Sequence, residues 1–187
     1  MDIPWVAPIR QTHPQPVVAD VVGEVRRQWL ASGLREQLTP GARIAVGIGS
    51  RGIANIAAIA RATIDALKEM RLQPFVVAAM GSHGGATPEG QRELLAEYHI
   101  TERDLGVEVR TEMDADTIGT NSWGEPVYWD RNALNADGVV TISRIKPHTD
   151  FRGPFESGIL KMAVIGFGKR DGASQHHRWG YRGLRDM

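Results

Sequence analysis

Arg43-Ile44-Ala45-Val46-Gly47-Ile48-Gly49-Ser50-Arg51-Gly52 is the stretch whose reading decides the fold. Arg43 to Ile48 is short, apolar and rich in β-branched or small residues, as expected of a strand buried on both faces. Gly49 to Gly52 break that run. Ile53, Ile56, Ile59/Ala60, Ile64 and Leu67 then recur on one face at helical spacing. The unit is strand, glycine loop, helix. A second copy follows, with Gln73 to Ala79 as strand, Met80-Gly81-Ser82-His83-Gly84-Gly85 as loop, and a helix opening at Thr87-Pro88-Glu89. Thr87 suits an N-cap, Pro88 the first helical position, and Glu89 the positive helix end. Asp137-Gly138 introduces a further strand, Val139 to Ile142, which runs into the loop Ser143 to His148. Strands alternating with helices predict an α/β, doubly wound, mostly parallel sheet with helices on both faces, a Rossmann-like arrangement.

Outside these units the pattern is looser. Pro4, Pro8, Pro14 and Pro16 predict an extended arm. Val18, Val22, Val25 and Trp29 predict an amphipathic helix over about Pro16 to Leu34. Val107-Glu108-Val109 and Pro126-Val127-Tyr128-Trp129 read as short strands around the turn Asn121-Ser122-Trp123-Gly124, and Arg131 to Asn135 as one helical turn. Met162 to Gly166 fits either a strand or a buried turn. The last ten residues, Arg178 to Met187, read as lacking a closing strand or helix, so the expected organisation is one α/β domain over residues 1–187, a piece of a longer chain.

Composition excludes several classes. The 187 residues carry 22 basic and 22 acidic side chains, which leaves none of the positive field that nucleic acid or an anionic membrane requires. There is no cysteine, hence no disulfide, no thiolate metal ligand and no thiol nucleophile. Met1-Asp2-Ile3-Pro4-Trp5 is not a signal peptide, and no run approaches the roughly 18 apolar residues of a membrane span. A cytoplasmic location is expected. The pattern does not reach the oligomeric state.

In a doubly wound sheet the loops leaving the carboxyl ends of the strands share one edge, where ligands bind. That places Gly49-Ser50-Arg51, Gly81 to Gly85, Arg144 to His148 and Lys161 on one rim. Ser50 and Arg51 ahead of a helix suit a phosphate or carboxylate, although an ordinary tight turn has the same pattern. Gly81, Ser82 and Gly84 flank His83 in a loop whose glycines permit close backbone approach to a ligand. The alternative is a turn with a solvated histidine. His148, beside Asp150, Arg152 and Glu156, offers a second imidazole, so that one histidine can remove a proton and the other return it. Lys161 lies between Ile159-Leu160 and Met162-Ala163, and apolar surroundings lower a lysine pKa toward a nucleophilic amine. His176 and His177 are neighbours that point about 100° apart on a helix and cannot easily chelate one metal together.

Taken in order, Ser50-Arg51, Gly81-Ser82-His83, Lys146-Pro147-His148, the run Glu156-Ser157-Gly158-Ile159-Leu160-Lys161 and a histidine soon after resemble the nickel-dependent lactate racemase family. The resemblance implies a racemase or epimerase of a small 2-hydroxy acid. It also implies a covalently attached nickel-pincer nucleotide, a pyridinium mononucleotide that binds nickel through one ring carbon and two sulfurs. Lys161 would be the attachment residue and His177, with His176 as the second candidate, the metal ligand. Arg51 and the glycine loops, with Ser50, Gly81, Ser82 and Gly84, would hold the nucleotide phosphate. His83 and His148 would be the acid/base pair while the C2 hydride passes to the cofactor. Cofactor-synthesis enzymes are the implied protein partners. The family's Asp-x-Thr-Arg motif appears here as Gly49-Ser50-Arg51 after Ile48, and its Gly-Gly-x-Lys approach as Ser157 to Lys161, which marks a divergent branch. Family members are about twice as long, so residues 1–187 correspond to the N-terminal cofactor-binding domain. Two other readings use the same rim: a zinc-dependent hydrolase with the metal on His83, His148 and a carboxylate, and a non-catalytic nucleotide- or anion-binding module.

Overall fold

The computed structural model describes residues 7–14, 16–149 and 151–185. In chain order the elements are α1 (Val21–Ala31), β1 (Arg43–Ile48), α2 (Ile56–Glu69), β2 (Gln73–Ala78), α3 (Pro88–Glu97), α4 (Glu102–Leu105), β3 (Val109–Arg110), β4 (Ala115–Thr120), β5 (Pro126–Asp130), α5 (Arg131–Leu134), β6 (Gly138–Ile142), α6 (Ile159–Lys161), a π-turn (Met162–Gly166), α7 (Lys169–Arg178) and α8 (Gly180–Arg185). Short 3-10 turns at Leu34–Glu36 and Gly84–Ala86 complete the described elements.

The main sheet has the order β3-β2-β1-β6, and every neighbouring pair is parallel. The expected α/β architecture is therefore present. Central β1 is opposite β2 at Val46↔Val76 and opposite β6 at Val46↔Val140. Its alternation assigns the two faces of the sheet. Ile44, Val46 and Ile48 join Ile56, Ala60, Ile64 and Leu67 of α2 in one core, which explains the helical spacing read from the sequence. Ala45 faces the other way, into a second core with Phe75, Val77, Ala133 and Phe167, where Trp129 stacks on Phe167 at 4.8 Å. Gly47 is glycine because Phe167 lies over it: a Cβ there would sit 2.2 Å from Phe167 Cζ. Asp137 anchors the far end of the strand pair, its Oδ2 accepting from Arg43 N at 2.7 Å.

Three local expectations change. Helix α1 begins at Val21, because Asp20 caps it by accepting from Gly23 N at 2.8 Å, and the stretch before Asp20 has no helix. In the extended arm, Pro8, Pro14 and Pro16 have no regular structure, while Pro4 lies outside the described residues. Of the strand expected at 107–109 only Val109 is extended in a sheet, in β3, which joins the parallel sheet; the antiparallel partner of β5 is β4, whose mostly polar and exposed residues carry no strand-like alternation. Asn121 closes that hairpin, its Oδ1 accepting from Trp123 N and Glu125 N, each at 3.0 Å. Finally, the carboxyl-terminal stretch does form a helix, α8, with Trp179 packed edge-on against Trp123 at 5.9 Å. Among the described residues no helix is long and apolar enough to cross a membrane.

Candidate functional site

Because β1, β2 and β6 run parallel, the loops that follow them leave the same edge. The chain goes from β1 to one side and returns to its other side as β6, so a crevice opens between the loops after β1 and β6.

The loop after β1 carries Ser50 and Arg51. Tyr98, at the carboxyl end of α3, donates its hydroxyl to Ser50 O at 2.9 Å. Ser50 Oγ is hydrogen-bonded to His83 Nδ1, which joins the first loop to the second. Gln91 on α3 is fully buried, and its Nε2 donates to Gly81 O at 3.0 Å and His83 O at 3.2 Å. The glycine requirement at Gly81 and Gly84 has an internal cause. Both have positive φ, and a Cβ would meet Ile165 O at 2.9 Å in the first case and Gly90 C at 2.6 Å in the second. Ser82 and Gly85 are exposed, with nothing within 4 Å of a Cβ on Gly85.

Lys161 ends the short helix α6 and is followed by the π-turn, closed by Phe167 N donating to Met162 O at 2.8 Å. Such turns are frequent at functional sites because the extra residue re-aims the side chains around it. This one is pressed against the first two loops. A Cβ on Gly49 would lie 3.2 Å from Met162 Sδ, Gly81 N donates to Gly166 O at 3.1 Å, and Gly166 passes so close to Ala79 that a Cβ would meet its carbonyl at 2.8 Å. Lys169 completes the attachment from the start of α7. Wholly buried, it donates from Nζ to Ala78 O at 2.7 Å and pairs with Asp130 Oδ2 at 2.8 Å. The Asp130 contact is ionic and falls outside hydrogen-bond alignment.

The electrostatics show which groups share the site. The His83 pKa is pushed below 6.5, first by partial burial and then by the charges of Arg51, Lys161 and His177. Lys161 is also lowered, by partial burial and then by Arg51 and Lys146. Residues from four separate segments therefore converge. Of these residues Lys161 also lines a cleft, together with Phe151, Phe155, Leu160, Val164 and Ile165.

His148 is held by a different set. Its N–H donates to Glu156 Oε2 at 2.7 Å, Gly153 N donates to Glu156 Oε1 at 3.1 Å, and its ring stacks on Phe151 at 4.2 Å. The two backbone donors hold the Glu156 carboxyl below the usual carboxylate range, helped by Arg152. Ser157 ties the same loop down, accepting from Lys146 N at 2.8 Å and donating to Lys146 O at 2.6 Å. On α7 the histidine neighbours separate as helical geometry requires. His176 is buried toward the hairpin, where Glu125 partly offsets a lowering caused by burial and His177, while His177 is exposed and acts on His83.

Gln91, Tyr98 and the Lys169–Asp130 pair are the site-shaping residues that sequence reasoning missed. For Gln91 a signal existed, since Gln91, Leu95 and Tyr98 recur at helical spacing and both Gln91 and Leu95 are buried. Lys169, in Gly168-Lys169-Arg170-Asp171, reads as a surface helix start and gives no such signal.

A parallel α/β sheet whose loops share one cationic, histidine-bearing rim defines an α/β domain of the doubly wound class. The family model for the lactate racemase N-terminal domain matches residues 14–183, and the chain belongs to that family. No curated protein and no solved structure matches the chain.

Proposed function

We propose that this chain is the cofactor-binding domain of a nickel-pincer-dependent racemase or epimerase acting on a 2-hydroxy acid. The observation that supports the reading is that Arg51, His83, Lys161 and His177, four groups from separate segments, lie in one another's field, as suits an anionic, lysine-attached ligand. The residues fit such a group. A lowered Lys161 pKa raises the fraction of neutral amine, the form that bonds to a carbonyl-type carbon. Arg51 would supply the guanidinium that pairs with the group's phosphate. His177 offers an exposed imidazole where His176 is turned into the fold. A chain without cysteine leaves sulfur ligation to the cofactor itself. Among the described residues no three histidine or carboxylate side chains are grouped to hold a metal, which favours a site needing one imidazole over the zinc hydrolase reading.

When bound, the group supplies a hydride acceptor at its ring. The chain's own part is binding and proton traffic. Arg51 and the backbone around Gly49 hold the phosphate, and Lys161 fixes the ring by its side chain. Partial burial and neighbouring positive charge lower the His83 pKa, which favours the neutral imidazole that can accept the hydroxyl proton of a 2-hydroxy acid. His148, on a loop after the neighbouring strand that Glu156 and Ser157 brace, would be the second acid/base group.

The test is intact-mass and nickel analysis of the chain produced together with cofactor-synthesis enzymes. A mass increment on Lys161 with about one nickel per chain is expected. Lys161→Arg keeps the charge but cannot form the linkage, so it loses the increment. Normal loading in that variant, or no loading of the unaltered chain in cells that load another family member, removes the proposal and leaves the anion-binding module.

A further inference from the structure

We infer that Ser50 is a positioning residue for His83: its hydroxyl accepts the Nδ1–H of the imidazole and leaves Nε2 as the nitrogen that takes up and returns the substrate proton. The tautomer and the proton-transfer role of Nε2 rest on the racemase reading above; the hydrogen bond does not. Sequence alone places Ser50 beside a phosphate, but the structure directs its hydroxyl to the histidine ring.

The assignment of donor and acceptor follows from the chemistry of the cycle. A histidine acting as acid and base alternates between neutral imidazole and imidazolium, and in the cation both ring nitrogens are donors. Opposite imidazolium, Ser50 Oγ can only accept. If the neutral form carried its proton on Nε2, the hydroxyl would have to rotate and become a donor to Nδ1 at every turnover. If the neutral form carries its proton on Nδ1, one and the same hydrogen bond persists in both states and only Nε2 changes.

The surroundings are built to hold this contact. Helix α3 grips both of its ends from positions seven residues apart, two helical turns along one face. Tyr98 Oη donates to Ser50 O at 2.9 Å, and Gln91 Nε2 donates to His83 O at 3.2 Å and Gly81 O at 3.0 Å. Both Gln91 partners are carbonyls, so the orientation of its amide is determined by them. His83 N donates to Met80 O at 3.2 Å, closing the turn that presents the ring. The hydroxyl proton of Ser50 remains available for an anion beside Arg51, so the two roles are compatible on one oxygen.

The experiment is nitrogen-15 NMR of the histidine rings in the labelled, cofactor-free chain at a pH well above the ordinary histidine pKa, with His83 assigned through His83→Gln. The expected result is a protonated Nδ1 and an unprotonated Nε2 for His83, retained in Ser50→Thr and lost in Ser50→Ala, where the Nε2–H form favoured by free histidine takes over. A protonated Nε2 in the unaltered chain, or an unchanged tautomer in a folded Ser50→Ala, overturns the inference. Should Ser50→Ala fail to fold, the unaltered chain and Ser50→Thr still decide it. An Nδ1–H His83 in a chain that never loads cofactor removes the racemase reading alone, whereas a loaded chain with an Nε2–H His83 removes this inference alone.

Discussion

Replacing Lys169 by methionine removes one charge from the interior and should cost more than any other single truncation near the site. Both partners of the Lys169–Asp130 pair have side-chain exposures of 1% or less, and Nζ–Oδ2 is 2.8 Å. Asp130 also caps α5, its Oδ1 accepting from Ala133 N at 2.7 Å. Methionine keeps the length and most of the volume, and its backbone meets the same resistance as lysine to the φ of +54° at this position, so strain cancels in the comparison. What remains is a buried carboxylate without a counter-charge and a carbonyl, Ala78 O, without its donor. Breaking a buried pair from one side costs about 3–5 kcal/mol, a large part of the roughly 5–15 kcal/mol that holds a domain folded. The assay is urea denaturation followed by circular dichroism, read as a midpoint shift at constant slope. Lys169→Met/Asp130→Asn should then be less destabilised than the sum of the single variants, with a coupling of about 1–3 kcal/mol. A Lys169→Met variant within about 0.5 kcal/mol of the unaltered chain, the scale of an ordinary surface change, would refute the reasoning, since it would mean that the ammonium is neither buried nor paired.

Two other outcomes are expected. Gly47→Ala should lose about 1–3 kcal/mol through overpacking, because its Cβ falls 2.2 Å from Phe167 Cζ, and Phe167→Leu in the same chain should recover part of that loss in denaturation midpoints. Stability should also fall as the pH drops below about 6.5: burial is the first cause lowering the pKa of both His83 and His176, so below that value the unfolded chain binds protons that the folded chain resists, and stability fully present above it is progressively lost. Denaturation midpoints measured across this range should decline less steeply in His83→Gln; a slope unchanged by that substitution would contradict the assignment.

The sequence by itself determined the parallel sheet and the rim. The apolar runs at 43–48 and 73–78 can be satisfied only by burial on both faces, and the period of Ile56, Ile64 and Leu67 supplies the helix that covers one of them. Parallel strands then put their following loops on one edge, which is why Arg51, His83, His148 and Lys161 could be named from spacing and resemblance before any coordinates. Only the tertiary structure decided how these residues are held. Lys169 looks like any helix-start lysine until Ala78 O and Asp130, distant in sequence, close around it. Ser50 looks like a phosphate contact until the second loop brings His83 to its hydroxyl. His176 and His177 are equivalent in sequence, and only the fold buries the first, within the field of Glu125 from the β4–β5 hairpin, and leaves the second exposed and acting on His83. The reason is common to all three. Local sequence carries the period and the caps that form an element, whereas the partner of a buried polar group is chosen by long-range packing that leaves no trace in neighbouring residues.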